Sequence, residues 1–199
     1  MKVVGLTGPT GSGKGYISRI FEKHSAFIVD TDLLVHSLYR GGRCAEQIGD
    51  AFGADRVLSK DGSVNRLALG EIVFNNRECM AHLQAIVYRH LSELTDKILA
   101  EKENSGTEIA VIDAPMLFEA TFDKKCDFIL SVVAERTLRI DRIMKRDNIS
   151  LESAELRIKN QMSEKEYIER SDFVIYNNGD NVDLEREVLE IIEKGLKSE

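Results

Sequence analysis

A glycine-rich segment near the start of the chain has the composition of a phosphate-binding loop. Residues 8–14 read Gly-Pro-Thr-Gly-Ser-Gly-Lys and follow an apolar run at residues 3–6. In such loops the glycines let successive backbone N–H groups turn toward phosphate oxygens, and the lysine reaches the terminal phosphates. Apolar residues at helical spacing after the loop predict a helix whose N-terminus faces those phosphates. The segment therefore predicts nucleotide binding, and a simple strand-to-helix turn is the structural alternative.

The position after the lysine departs from the usual form of this loop. A Ser or Thr normally stands there and supplies a hydroxyl to Mg²⁺. This chain has Gly15 instead. The sequence therefore predicts nucleotide chemistry and leaves open how the metal ion is held.

Three acidic residues follow apolar runs that have the length of strands. Asp30 and Asp32 come after the run at residues 27–29, and Asp113 ends the run at residues 109–112. Ligands of open α/β sheets bind at the carboxyl ends of the strands, so these carboxylates are candidates for a catalytic base or for metal ligands. The alternatives are structural, because an Asp can cap the next helix or form a turn. For Asp30 and Asp32 both roles can hold, one for each acid.

A basic segment later in the chain predicts a helix with a cationic face. Arg139, Arg142 and Arg146 recur at i, i+3 and i+7 and therefore share one side of a helix. A guanidinium group can hold phosphate oxygens bidentately, which suits a lid over a polyphosphate. The alternative is a solvated face whose arginines pair with Glu135 and Asp141.

The order of apolar runs and helical stretches predicts an α/β fold with a mostly parallel, doubly wound sheet. We expect strands at residues 2–7, 26–29, 108–112, 127–133 and 172–175, and a final amphipathic helix at residues 183–199. Residues 33–105 are too many for one crossover helix, so they predict a helical insertion at the ligand edge of the sheet. Residues 136–170 predict a helical lid region. The whole chain, residues 1–199, is predicted to be a single domain.

Composition limits the class of protein. With 199 residues, of which 43% are hydrophobic, the chain is long enough for one α/β domain. Its net charge of −7 argues against a broad surface for nucleic acid or for an anionic membrane. Three widely spaced cysteines fit neither a disulfide framework nor a metal knuckle, so a reduced cytoplasm is expected. We also expect no removable signal and no membrane-spanning segment.

Taken together, these stretches resemble the dephospho-coenzyme A kinase family over nearly the whole chain. The motifs that carry the resemblance occur in the order of the family. They are Gly5-Leu6-Thr7-Gly8 with Gly11-Ser12-Gly13-Lys14, Asp30-Thr31-Asp32 with His36, residues 61–66 with residues 69–74, Pro115-x-Leu117-Phe118-Glu119, Arg142 with Arg146-Asp147, Arg157 with Gln161, and residues 172–179.

The resemblance implies a P-loop NTPase fold and an ATP-dependent kinase. The reaction would transfer the γ-phosphoryl group of ATP to the ribose 3′-hydroxyl of dephospho-coenzyme A, with Mg²⁺, in the last step of coenzyme A synthesis. Asp32 would be the catalytic base, with Lys14, Arg142 and Arg146 at the transferring group. ATP would be bound by Gly8, Gly11, Ser12, Gly13, Lys14, Gly15, Tyr16 and Asn177. Asp30, His36, Arg66 and Glu119 would bind the acceptor, and Asp32 and Asp113 would hold Mg²⁺ directly or through water.

Three departures from the family pattern qualify these expectations. Gly15-Tyr16 replaces a Ser/Thr-Thr pair, Tyr88-Arg89 replaces His-Pro, and Tyr167 stands where Lys is frequent. Arg89 could compensate by meeting a phosphate of the acceptor. Two rival functions are another small-molecule P-loop kinase and a nucleotide-binding regulatory protein with weak turnover. The sequence does not predict the oligomeric state.

Overall fold

The structure is a computed structural model that describes residues 1–179 and 183–197. The parts of the predicted domain and terminal helix at residues 180–182 and 198–199 lie outside the described residues. The chain divides into two compact units, which are treated one at a time below. The first consists of Met1–Val29 with Lys102–Glu199, and the second consists of Asp30–Glu101.

The secondary structure alternates strands and helices. In chain order the elements are β1 (Lys2–Thr7), α1 (Lys14–Lys23), β2 (Phe27–Asp30), α2 (Thr31–Leu38), α3 (Arg43–Phe52), α4 (Ala54–Val57), α5 (Arg66–Val73), α6 (Arg77–Asn104), β3 (Ile109–Asp113), a 3₁₀ turn (Phe122–Lys125), β4 (Phe128–Val133), α7 (Arg136–Asp147), α8 (Leu151–Lys159), α9 (Glu164–Glu169), β5 (Phe173–Tyr176) and α10 (Leu184–Lys197). Each predicted strand is present, with its ends displaced by no more than one residue.

The sheet has the order β2-β3-β1-β4-β5. Strand β1 pairs in parallel with β3 and β4, and β4 pairs in parallel with β5. Every residue of β4 is buried, as expected for a parallel strand that is covered on both faces. The α/β fold with a parallel sheet is therefore confirmed.

Apolar residues of the strands and flanking helices form the core of the first unit. Ile17 and Phe21 of α1 and Val188 of α10 pack with Val4 and Leu130 of the sheet. Burying one such side chain contributes about 1.5–3 kcal/mol of hydrophobic free energy. This packing fixes the start of α1 at the end of β1, where the phosphate-binding loop lies.

The second unit contains helices α2 to α5 and the part of α6 up to Glu101, around a core of its own. Ile48, Val57, Leu69 and Val87 are among its buried residues. Leu67 of α5 lies outside this core, with its side chain 83% exposed. Within residues 1–179 and 183–197, no helix is both long enough and apolar enough to cross a membrane.

Candidate active site

The glycine-rich loop joins β1 to α1, and two of its glycines are required by close contacts. Gly8 and Gly13 have φ angles of 148° and 92°, which L side chains rarely adopt. A Cβ on Gly8 would overlap the backbone oxygen of Val132 in β4, and a Cβ on Gly13 would overlap the side-chain amide of Asn177. Glycine at these positions therefore lets the loop lie directly against β4 and the residue that follows β5.

Lys14 and Asp113 form an ion pair beside this loop. Lys14 Nζ donates to Asp113 Oδ1. The β1–β3 register aligns Leu6 with Asp113, so the last residue of β3 stands next to the start of the loop. Asp113 is only 7% exposed, and a carboxylate that is this deeply buried needs a charged or hydrogen-bonding partner. The structure thus brings together the loop lysine and the strand-end acid that the sequence singled out.

Gly15 differs from the other loop glycines because neither a close contact nor a left-handed φ angle requires glycine at this position. It is the second residue of α1, it is exposed, and a Cβ built on it would meet no atom within 4 Å. The neighbouring Tyr16 is 49% exposed, and the Arg19 guanidinium lies 5.9 Å from the centre of its ring. A seryl side chain would therefore fit at position 15 without moving a neighbour.

Ser12 contributes to the loop mainly through its backbone oxygen. That oxygen accepts hydrogen bonds from Asn177 Nδ2 at 2.8 Å and from Arg142 Nη1 at 3.3 Å. The Ser12 hydroxyl is buried and has no hydrogen-bond partner among the described residues. Two side-chain donors therefore fix the orientation of the Ser12 carbonyl group.

Arg142 is held against the loop by three carbonyl groups. Its guanidinium donates to Gly11 O at 3.2 Å, to Ser12 O, and to Asn177 O at 3.0 Å. The backbone of Asn177 is itself fixed, because its N–H donates to Val133 O at 2.8 Å. Two predicted site residues, Arg142 and Asn177, are therefore in direct contact with the predicted phosphate loop.

Arg146 occupies a different environment from Arg142. Its Nε and Nη2 donate to the two carboxylate oxygens of Asp147 at 2.8 and 2.9 Å, and Arg157 binds the same carboxylate. These bonds, led by the one from Arg146, lower the pKa of Asp147 to about 2. The Arg146 side chain is 60% exposed. In this structure its charge is neutralised by Asp147, and its role at a phosphoryl group stays a prediction.

Two further side chains contact the loop that sequence reasoning did not assign to it. Gln161 accepts from the Thr10 N–H, and Arg139 donates to the Thr10 oxygen. Arg139 was predicted on the cationic face of the lid, and Gln161 only as part of a family motif. No local pattern predicts these contacts, because the partners are 151 and 129 residues apart.

In the second unit, the structure separates the roles of the two acids of the Asp-x-Asp motif. Asp30 is the N-cap of α2, and its Oδ1 accepts from the Leu33 N–H at 3.0 Å. Asp32 lies in the first turn of the same helix and is exposed. The capping alternative therefore holds for Asp30, while the Asp32 carboxylate faces solvent.

The other predicted acceptor residues lie in two places. His36 and Arg66 meet in the second unit, with Arg66 Nη1 2.9 Å from His36 Nε2. Glu119 is exposed in the first unit, next to Phe118, whose ring lies 6.2 Å from that of Tyr167. Burial, reinforced by the charge of Glu119, raises the pKa of Tyr167 to about 12. Tyr167 is therefore a neutral packing residue, with 1% of its side chain exposed.

Arg89 is also committed to a neighbour within the second unit. Its Nη2 donates to Gln47 Oε1, which lies 2.8 Å from His90 Nε2 as well. The amide oxygen of Gln47 is therefore in contact with both Arg89 and His90. The expected contact of Arg89 with an acceptor phosphate stays a prediction.

Comparison with known proteins places this geometry in a family. A model of the dephospho-CoA kinase family matches residues 2–183. Dephospho-CoA kinases of Geobacter sulfurreducens and Fusobacterium nucleatum are 37% and 34% identical to the chain. The alignments cover 96% of this chain and 97% of the Geobacter protein, and 94% of both chains for the Fusobacterium protein.

Solved structures give the same result for the fold. A protein from Thermus thermophilus superposes with a TM-score of 0.83 at 27% identity, over 97% of both chains. A shikimate kinase from Acinetobacter baumannii reaches 0.56 at 16% identity, over 100% of this chain and 96% of its own, and this likeness bears on the fold alone. The fold is that of the P-loop NTPases, and the chain belongs to the dephospho-CoA kinase family.

Proposed function

We propose that this protein transfers the γ-phosphoryl group of ATP to the ribose 3′-hydroxyl of dephospho-coenzyme A, giving coenzyme A and ADP. The observation that carries the proposal is the glycine-rich loop with Lys14 paired to Asp113, in a chain of this family. The γ-phosphate would compete with Asp113 for the ammonium group when ATP binds. A lysine that is already directed to the end of the loop loses little side-chain entropy in making that exchange.

The residues of the loop would bind ATP mainly by position and charge. Phosphoryl transfer requires little covalent chemistry of the protein, so alignment and stabilisation of the negative charge dominate catalysis. Backbone N–H groups from Gly11 to Tyr16 and the Lys14 ammonium would hold the β- and γ-phosphates. Arg142 would face the transferring group from its place on the loop carbonyls, and Asn177 would contribute next to the adenine.

The acceptor hydroxyl needs a base, and we assign that role to Asp32. Its exposed carboxylate in the first turn of α2 is not used as the helix cap, because Asp30 has that function. Asp30, His36, Arg66 and Glu119 are assigned to the acceptor on the resemblance of their motifs to the family.

The residues present are compatible with a Mg²⁺ ion. Mg²⁺ prefers oxygen ligands and keeps several of its waters, so one or two carboxylates together with phosphate oxygens are sufficient. Asp113 provides such a carboxylate beside Lys14, and the space next to Gly15 is open. We propose that Asp113 would hold the ion, directly or through water. The same role for Asp32 is assigned on the resemblance of its motif to the family. The ion would neutralise charge on the β- and γ-phosphates as the phosphoryl group is transferred.

We also propose that the protein works in the cytoplasm and takes ATP and dephospho-coenzyme A as its partners. Cys44, Cys79 and Cys126 are free thiols, which favours a reducing compartment. The negative net charge supports neither nucleic acid nor an anionic membrane as a partner.

The proposed reaction is tested by measuring ADP release from Mg-ATP with purified protein. Dephospho-coenzyme A should stimulate release far above the acceptor-free rate, and mass spectrometry should find coenzyme A in equal amount. Nucleosides and shikimate serve as control acceptors. Faster release with one of these controls would favour another small-molecule kinase, and binding of ATP without any transfer would favour a regulatory protein.

A further inference from the structure

The backbone of Thr10, at the tip of the phosphate loop, is held on both sides by side chains from the lid region. Its N–H donates to Gln161 Oε1 at 2.8 Å, and its carbonyl oxygen accepts from Arg139 Nε at 2.9 Å. Arg139 belongs to α7, and Gln161 lies between α8 and α9. Both polar groups of one loop residue are thus fixed by segments distant in sequence.

Arg139 is buried, so its guanidinium group is not exposed to a phosphate in solution. It is 4% exposed, and its second nitrogen, Nη1, lies 3.7 Å from Glu164 Oε2 on α9. The backbone of Arg139 also lies against the loop, because a Cβ built on Gly11 would come within 2.7 Å of the Arg139 oxygen. The guanidinium therefore joins α7, α9 and the loop through contacts that are all made within the protein.

We propose that Arg139 and Gln161 are positioning residues of the phosphate loop. By holding the two backbone groups of Thr10 they keep the loop in the shape in which its later N–H groups meet the nucleotide phosphates. Neither side chain needs to touch ATP for this effect. The proposal rests on the proposed function, and it predicts that nucleotide affinity depends on the lid segment between α8 and α9.

The alternative is that these hydrogen bonds only stabilise the fold. Loss of a purely structural bond lowers the melting temperature and the amount of active protein. Loss of a positioning bond weakens nucleotide binding while the folded protein persists. The two cases are therefore separated by comparing ADP affinity, the KM for each substrate and the thermal midpoint.

The main test replaces Gln161, which is half-buried. Gln161→Met keeps the length of the side chain and removes the acceptor, so Kd for ADP and KM for ATP should rise about three- to tenfold, as for one lost hydrogen bond. KM for dephospho-coenzyme A should change less than about twofold, within the scatter of a neutral surface substitution. Gln161→Glu retains an acceptor and should recover most of the affinity. Asn160→Ala, at an exposed neighbouring position, is the matched control and should bind ADP like the native protein.

An unchanged ADP affinity in Gln161→Met overturns the proposal, as does an equal rise in both KM values together with a lower thermal midpoint. Arg139→Lys gives a second test, because Lys keeps the charge near Glu164 but lacks the Nε–H group that donates to the Thr10 oxygen. It should weaken ADP binding in the same direction, and unaltered binding would count against Arg139.

Calorimetric titration with ADP needs no acceptor, so it separates this proposal from the proposed reaction. If the native protein binds ADP but does not phosphorylate dephospho-coenzyme A, the reaction assigned above is wrong and the positioning role is still decided by the variants. If the native protein does not bind ADP, both proposals fail.

Discussion

At the scale of single residues, the presence or absence of one polar group distinguishes the predicted roles of Gly15, Asp30 and Asp32. Gly15 leaves α1 without a hydroxyl next to Lys14, although the structure has room for it. Asp30 uses its carboxylate on the backbone of α2, whereas the carboxylate of Asp32 two positions later is exposed. Single substitutions at these positions therefore separate chemistry from structure.

The assignment of Asp32 as the base predicts a loss of turnover without a loss of ATP binding. Asp32→Asn should lower kcat by at least about 100-fold, since general bases contribute on the order of 10²–10⁴. KM for ATP should stay within about twofold, because the carboxylate acts on the acceptor hydroxyl. Steady-state kinetics with both substrates provides the measurement.

Asp30→Asn is a matched control for this experiment. Asn caps helices about as well as Asp, so the N-cap of α2 should survive and kcat should fall much less. Equal losses in the two variants, or full activity of Asp32→Asn, would show that the base has been assigned to the wrong residue.

The open space at Gly15 predicts that a hydroxyl can be restored. Gly15→Ser should lower the Mg²⁺ concentration for half-maximal activity, by up to about tenfold if the new ligand matches other contacts around a bound metal. The same shift should appear in the Mg²⁺ dependence of nucleotide binding measured by calorimetry. Identical half-saturation in the native and variant proteins would contradict a weakened metal site.

A double-mutant cycle shows whether the hydroxyl and Asp113 share that function. Asp113→Asn should harm activity more in the native background than in the Gly15→Ser background, because two groups that serve one ion are not additive. Strict additivity would mean that Asp113 acts mainly through its ion pair with Lys14.

At the scale of elements, α7 shows how one helical face can hold residues with different tasks. Arg139, Arg142 and Arg146 share a side of the helix, as their spacing predicted. Arg139 and Arg142 donate to carbonyl groups of the phosphate loop, and Arg146 binds Asp147. The loop is likewise enclosed by elements on several sides, since its glycines lie against β4, α7 and the residue after β5.

These contacts predict opposite effects of alanine at two glycines of the loop and helix. Gly13→Ala should destabilise the protein by about 1–2 kcal/mol through its left-handed φ angle, and it should abolish tight nucleotide binding by displacing Asn177. Gly15→Ala should stabilise the protein by about 0.5–1 kcal/mol, because position 15 is helical and open. Urea unfolding of both variants measures the difference, and similar free energies of unfolding would contradict the loop geometry.

For the whole molecule, the sequence allows prediction of what is local in the chain. The apolar runs predicted each strand to within one residue, and the glycine pattern correctly predicted the loop between β1 and α1. The pairing of Lys14 with Asp113 follows from parallel strands that end at one edge of the sheet. The α/β fold and the dephospho-CoA kinase family were both predicted correctly.

Contacts between a side chain and a distant backbone group could not be predicted in this way. The Thr10 contacts of Gln161 and Arg139 span 151 and 129 residues, and they depend on how helices pack rather than on any local pattern. Leu67 illustrates a related point, because its side chain is 83% exposed although most residues of α5 are apolar. Helical spacing shows which residues share a face, but it does not show whether another element covers that face.

The last prediction concerns the stability of the protein as a whole. A ligand that binds only the folded state at one hundred times its Kd stabilises that state by about 2.7 kcal/mol. For a chain of this size the thermal midpoint should rise by about 5–10 °C with saturating ADP. AMP, which lacks the β-phosphate that the loop and Lys14 would hold, should give a much smaller rise at the same concentration. Differential scanning calorimetry of the native protein and of Lys14→Ala measures both shifts. Equal shifts with ADP and AMP, or an undiminished ADP shift in Lys14→Ala, would mean that the glycine-rich loop is not the main determinant of nucleotide binding.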